Sequence, residues 1–208
     1  MYWAEFLTIA VAHLFAVASP GPDFAVVMRQ SVTAGTRAGI WTSLGVGSGI
    51  LLHVAYCLLG VALLLSRSPV LFSAVKILAA IYLSYIGIQS IRQSFVKQPD
   101  AVLDEGGEVT VSPGRAFVLG FLTNGLNPKA TLFFLALFSV VIDIETPVQI
   151  QLVYGLYLAS ATFAWFAILS MVLGHEPIRV FMRKSGVWFE RIMGLILVFL
   201  AVQIVLVA

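Results

Sequence analysis

The sequence predicts an all-α membrane protein: six transmembrane helices forming two inverted three-helix repeats, with the first and fourth helices broken. Three observations carry this. Of its 208 residues 60% are hydrophobic and only 11% are charged, where soluble domains carry roughly 25% charged residues. Six stretches are apolar over about the 20 residues that a helix needs to cross a bilayer. Two of these stretches are interrupted by proline beside a charge, at matching places in the two halves of the chain.

The first span runs from Glu5 to Met28 and contains AVASPGPDFAVV, residues 16 to 27. Proline lacks an amide donor and clashes with the preceding turn, so Pro20 and Pro22 break the helix. Asp23 is among the costliest side chains to place in lipid. Ala16-Val17-Ala18 has the small-x-small pattern of a cleavage site. Met1 to Glu5 lacks the basic residues of a signal peptide, however, so the segment is expected to be retained.

The second span, Ala38 to Ser66, is uncharged and holds GVGSG at residues 45 to 49. The spacing does not fit a nucleotide loop, and no GK[ST] follows. Gly45 and Gly49, one turn apart, instead form a small-residue face for close helix packing. The third span, Ser68 to Ile91, holds one charge, Lys76. A polar segment with an acidic middle follows and reads as an exposed loop. The fourth span, Ala116 to Ile142, contains TNGLNPKATLFF, which sets Asn127, Pro128 and Lys129 inside it. The fifth, Thr146 to Gly174, is uncharged. The sixth, Ile192 to Ala208, is short and is expected to start near Val187. The units are therefore residues 1–92, a cytoplasmic loop at 93–113, and residues 114–208.

Basic residues set the orientation of membrane helices. With six spans, nine of the twelve lysines and arginines fall in loops on one side, and Arg67 alone falls on the other. This predicts that the three basic loops are cytoplasmic and that both termini lie outside.

Each interruption opens a three-span unit. Three is odd, so the second unit enters the membrane from the opposite side. Interrupted helices in corresponding positions of two halves point to a transporter's binding site. Non-helical backbone at that depth is tolerated where it is buried in protein or lines a cavity. Asp23, Lys76 and Lys129 are the charges within the spans; Asp23 can pair with either lysine. Together they suit a zwitterion. Lys129 and the helix start at Pro128 would take a carboxylate. Asp23, or carbonyls freed by Pro20 and Pro22, would take an ammonium. A carboxylate here can also titrate and couple transport to protons.

Other chemistry has less support. The net charge of +2 does not suggest a nucleic-acid partner, and the single Cys57 excludes a disulfide or two-thiol relay within the chain. His13 and His53 have no metal-ligand spacing and read as hydrogen-bonded core residues, so no metal or cofactor is expected.

Ser19-Pro20-Gly21-Pro22 in span one, the glycine-rich second span, KILAAIYLSYIGI in span three and Asn127-Pro128-Lys129-Ala130 in span four resemble the LysE/RhtB family of amino-acid exporters. The likeness covers nearly the whole chain. Ala79-Ala80 stands where the family commonly has Gly-Ala, and Asp23 follows SPGP in only part of the family. The resemblance implies a bacterial inner-membrane exporter of amino acids or close derivatives, neutral ones such as threonine, homoserine or leucine above all. It places substrate and ion contacts at Ser19 to Asp23, Lys76 and Asn127 to Lys129. The partners so implied are the lipid bilayer, an amino acid and a proton as coupling ion, with a homodimer left open. Two rival readings are a passive channel and an intramembrane enzyme. A hydrolase would need Ser19 activated by His13 or His53.

Overall fold

A computed structural model describes residues 2–67, 69–95, 111–143 and 145–173, together with helical residues at 187–188, 191–192, 194–199, 201–202 and 205. Within these, the side chains of 61–69, 71–73, 75–76, 79, 82–83, 86, 93 and 139–140 lie outside the description. Most of the 93–113 loop, and with it the boundaries of the sixth span, fall outside it too.

Among the described residues the regular structure is helical. In chain order the helices are α1 (Tyr2–Ala18), α2 (Pro22–Thr33), α3 (Gly35–Arg67), α4 (Pro69–Gln93), α5 (Pro113–Gly125), α6 (Pro128–Ala136) and α7 (Val148–Val172). A π-helical turn, Leu137–Val141, prolongs α6. Four of these helices open on proline. That position costs no hydrogen bond, because the first amides of a helix have no partner within it. Gly35, at φ +83°, makes the turn from α2 into α3, a conformation open to glycine without steric penalty.

The proline effect in the first span is larger than a kink. The span expected over Glu5 to Met28 divides at residues 19–21; α1 and α2 meet at 53°, and α2 runs on to Thr33. The fourth span is likewise two helices, of 13 and 9 residues, divided at Leu126 and Asn127. By length and hydropathy α3, over Gly35–Gly60, and α7 are each able to cross a membrane alone, and the bent α1–α2 pair passes the same test when its two helices are counted as one span.

Helix α3 is the spine. α5 lies beside it in the same direction, Gly120 against Thr42, Gly45 against Phe117 and Phe121, and Gly49 against Asn124. A Cβ at Gly45 or Gly120 would run into the facing backbone. These glycines let the two helices approach closely, which helps drive association in lipid, where apolar burial alone does not. α7 runs the other way along α3, pairing Gly47 with Ala159 and Gly155 with Val54.

α1 lies along α7 in parallel. At its start the Tyr154 hydroxyl donates to the Tyr2 carbonyl at 3.0 Å. Near its end His13 meets Thr162. Glu5 fastens the outer edge of this pair. Its carboxylate accepts from the Thr146 hydroxyl at 3.0 Å, the Asp143 amide at 3.2 Å and the Tyr154 hydroxyl at 3.2 Å. Large side chains such as Phe134, Leu158 and Phe166 are buried between the helices, while Leu59, Leu78 and Leu156 point outward. Outward-facing leucine suits a bundle whose surroundings are lipid.

Candidate functional site

Each break is built by local chain chemistry. After Ala18 the Ser19 amide still donates back to the Phe15 carbonyl at 3.1 Å, but Pro20 has no amide to continue the ladder. Gly21, with extended backbone, precedes Pro22 at the first turn of α2, and Asp23 comes next. At the second break Asn127 caps α6: its Oδ1 accepts from the Lys129 amide at 3.0 Å. This is the usual cap geometry for asparagine. Pro128 opens that helix and Lys129 follows. The first-turn amides of both helices lack carbonyl partners, so each N-terminus carries partial positive charge.

The two breaks are tied to each other through their side chains. Asp23 Oδ2 accepts from Asn124 Nδ2 at 3.0 Å and from Asn127 Nδ2 at 3.2 Å. Lys129 Nζ donates to Ser19 Oγ at 3.0 Å. The charge of each break therefore bonds to a polar side chain of the other. The second carboxylate oxygen of Asp23 is buried and, among the described residues, accepts no hydrogen bond.

These groups surround a cavity of about 60 Å³. Ser19, Gly21, Pro22, Asp23, Asn127 and Lys129 all line it. Pro20 and Pro128 shape the breaks without lining the cavity, and Gly45 and Gly49 sit at the α3–α5 contact instead. Lys76 lies on α4, and its side chain is outside the description. The arrangement offers a cation with two helix N-termini for an anionic group, and an acceptor-rich carboxylate for a cationic one.

The histidines do not activate Ser19. His13 bonds to the Thr162 hydroxyl at 2.8 Å. His53 bonds through Nε2 to the Asn124 carbonyl at 3.0 Å and through Nδ1 to the Tyr56 hydroxyl. A carbonyl can only accept, so His53 carries its proton on Nε2 and Nδ1 accepts from Tyr56. The ring stacks on Phe134 at 5.4 Å and 10°. Ser19 bonds to Lys129, so the pairing of Ser19 with His13 or His53 that the hydrolase reading needed is not formed here.

Asn124 and Thr162 were not legible as site residues. Asn124 stands in the sequence three residues before Asn127, one helical turn away, a polar side chain in an apolar span. That spacing is the signal that could have found it. Thr162 is separated from His13 by 149 residues, and nothing local marks it.

The family model described as LysE type translocator matches residues 14–207. The chain is 28% identical over 191 residues to the threonine efflux protein of Salmonella typhi, covering 91% of each protein. It is 27% identical to the threonine efflux protein of Escherichia coli strain K12, again with 91% of each covered. Over 148 residues it is 34% identical to the leucine efflux protein of Salmonella choleraesuis, covering 70% of this chain and 65% of that one. These relatives are named as efflux proteins, which are transporters and not enzymes. No solved structure matches the chain.

Proposed function

The chain belongs to the LysE type translocator family, and we propose from that premise that it is a secondary-active exporter of small neutral amino acids, coupled to protons. Threonine, homoserine and leucine are the substrates to try first; two relatives are named for threonine and leucine efflux. One observation carries the site: two broken helices exchange polar contacts across a shared cavity, Asp23 with Asn127 and Lys129 with Ser19.

The substrate carboxylate would sit at Lys129 and the amide ends of α2 and α6, where helix dipoles favour an anion. The substrate ammonium would sit at Asp23, whose second oxygen accepts no hydrogen bond among the described residues. Proton binding at Asp23 would change the charge of the site between loaded and empty forms, which is how a buried carboxylate links transport to a gradient. Residues 1–92 and 114–208 would act as the two inverted halves, closing alternately on the site. The inner membrane is the proposed location, with both termini outside the cytoplasm.

Efflux from preloaded proteoliposomes tests this, with a panel of neutral and basic amino acids and with or without an imposed pH gradient. Wild type should release a neutral amino acid in a gradient-dependent way, and Asp23→Asn should lose that dependence. Flux indifferent to the gradient in wild type would make the protein a passive channel. Coupling retained in Asp23→Asn would move the proton elsewhere.

A further inference from the structure

Asp23 and Lys129 account for the charged groups of a zwitterion, but they leave its side chain without a reader. The remaining cavity wall is largely apolar: Ile50, Phe133, Phe134 and Phe166. One polar pair interrupts it, His13 from α1 and Thr162 from α7. Both are buried, 4% and 2% exposed.

Thr162 differs from several hydroxyl residues inside these helices. Thr42, Ser43, Ser48 and Ser170 each fold their hydroxyl onto the carbonyl one turn back. Thr162 turns its hydroxyl to His13 at 2.8 Å. A neutral imidazole has one N–H and one bare nitrogen, and a hydroxyl has one hydrogen and two lone pairs. The bond between them uses a single hydrogen, whichever side supplies it. The pair therefore keeps a donor hydrogen and acceptor capacity beyond its own bond.

We propose that His13 and Thr162 form the subsite that reads the substrate's side chain, favouring one that bears a hydroxyl over a hydrocarbon of the same shape. The proposal rests on the reading of this cavity as the amino-acid site. A hydroxyl reaching the pair can both donate and accept. A methyl group in the same place satisfies neither. Sites built to hydrogen-bond a substrate hydroxyl discriminate against the analogue lacking it far more strongly than apolar pockets discriminate by size.

Isosteric substrates test this in proteoliposomes holding the full chain. Threonine is compared with valine, and homoserine with norvaline, as competitors of labelled threonine and, separately, labelled leucine. In wild type each hydroxyl compound should compete about tenfold or more better than its isostere. Thr162→Val keeps the volume and should bring the ratio to within about threefold; Thr162→Ser should restore it. A wild-type ratio near one, or a ratio unchanged in Thr162→Val, overturns the proposal. If Thr162→Val does not assemble, the two wild-type ratios still decide. Failure of wild type to exchange any amino acid on the panel would sink the exporter reading itself, a different result from exchange without hydroxyl preference.

Discussion

Asp23 and Lys129 hold the same place in their helices: each directly follows the proline that opens it, Pro22 for α2 and Pro128 for α6. Opposite charges thus occupy matching positions at two helix starts that face one cavity. Each reaches across, Asp23 to Asn127 and Lys129 to Ser19. The pattern ties the state of one break to the state of the other.

Ser19 is the smaller half of that tie. Ser19→Ala removes the hydroxyl that accepts from Lys129 and leaves the backbone of the break alone. Hydrogen bonds to charged groups contribute about 1.5–3 kcal/mol. Amino-acid exchange in proteoliposomes should fall about tenfold or more, with the amount of protein in the membrane unchanged. Wild-type exchange in Ser19→Ala would remove this contact from the working site.

The glycines of the α3–α5 contact should govern stability. In Gly45→Ala and Gly120→Ala the new methyl meets facing backbone, which cannot yield as a side chain can. Overpacking of this kind costs about 1–3 kcal/mol, so thermal unfolding in detergent should shift down clearly. Among the described residues, Gly60 has nothing within 4 Å of the same added atom. Gly60→Ala should melt at or slightly above the wild-type temperature, since alanine favours helix over glycine. Equal behaviour of all three variants would mean that α3 and α5 do not pack this closely.

His53 positions the second break without lining the cavity. Its Nε2 proton goes to the carbonyl of Asn124, whose side chain in turn donates to Asp23. A glutamine amide can reach the same carbonyl from the same backbone position; leucine cannot. His53→Gln should therefore keep the gradient dependence of efflux, and His53→Leu should weaken it while leaving a folded, monodisperse protein. If the two variants are equally impaired, the ring stacking on Phe134 matters more than the hydrogen bond.

The breaks were legible because proline and charge inside an apolar span have few physical excuses. The spans that became α3 and α7 were legible for the same reason in reverse: uninterrupted apolar length leaves little choice of structure. The first span was harder. Hydropathy falls off at Met28 and Arg29, but backbone hydrogen bonding does not, so α2 continues to Thr33. Polar contacts between distant parts of the chain were not readable at all. That Lys129 stands with Asp23 at the cavity, and that His13 finds Thr162, depend on how α1, α2, α6 and α7 are laid against each other. Local sequence does not encode that arrangement.

The opposite signs of Asp23 and Lys129 also bear on how such a molecule can arise. A pair assembled from two copies of the first broken helix would bring two carboxylates to one water-poor chamber. A pair made from two copies of the second would bring two ammonium groups there. Like charges repel strongly where polarity is low, so neither symmetric ancestor is comfortable with these side chains. With one charge of each sign the chamber stays near neutral, each break supplying what the other lacks.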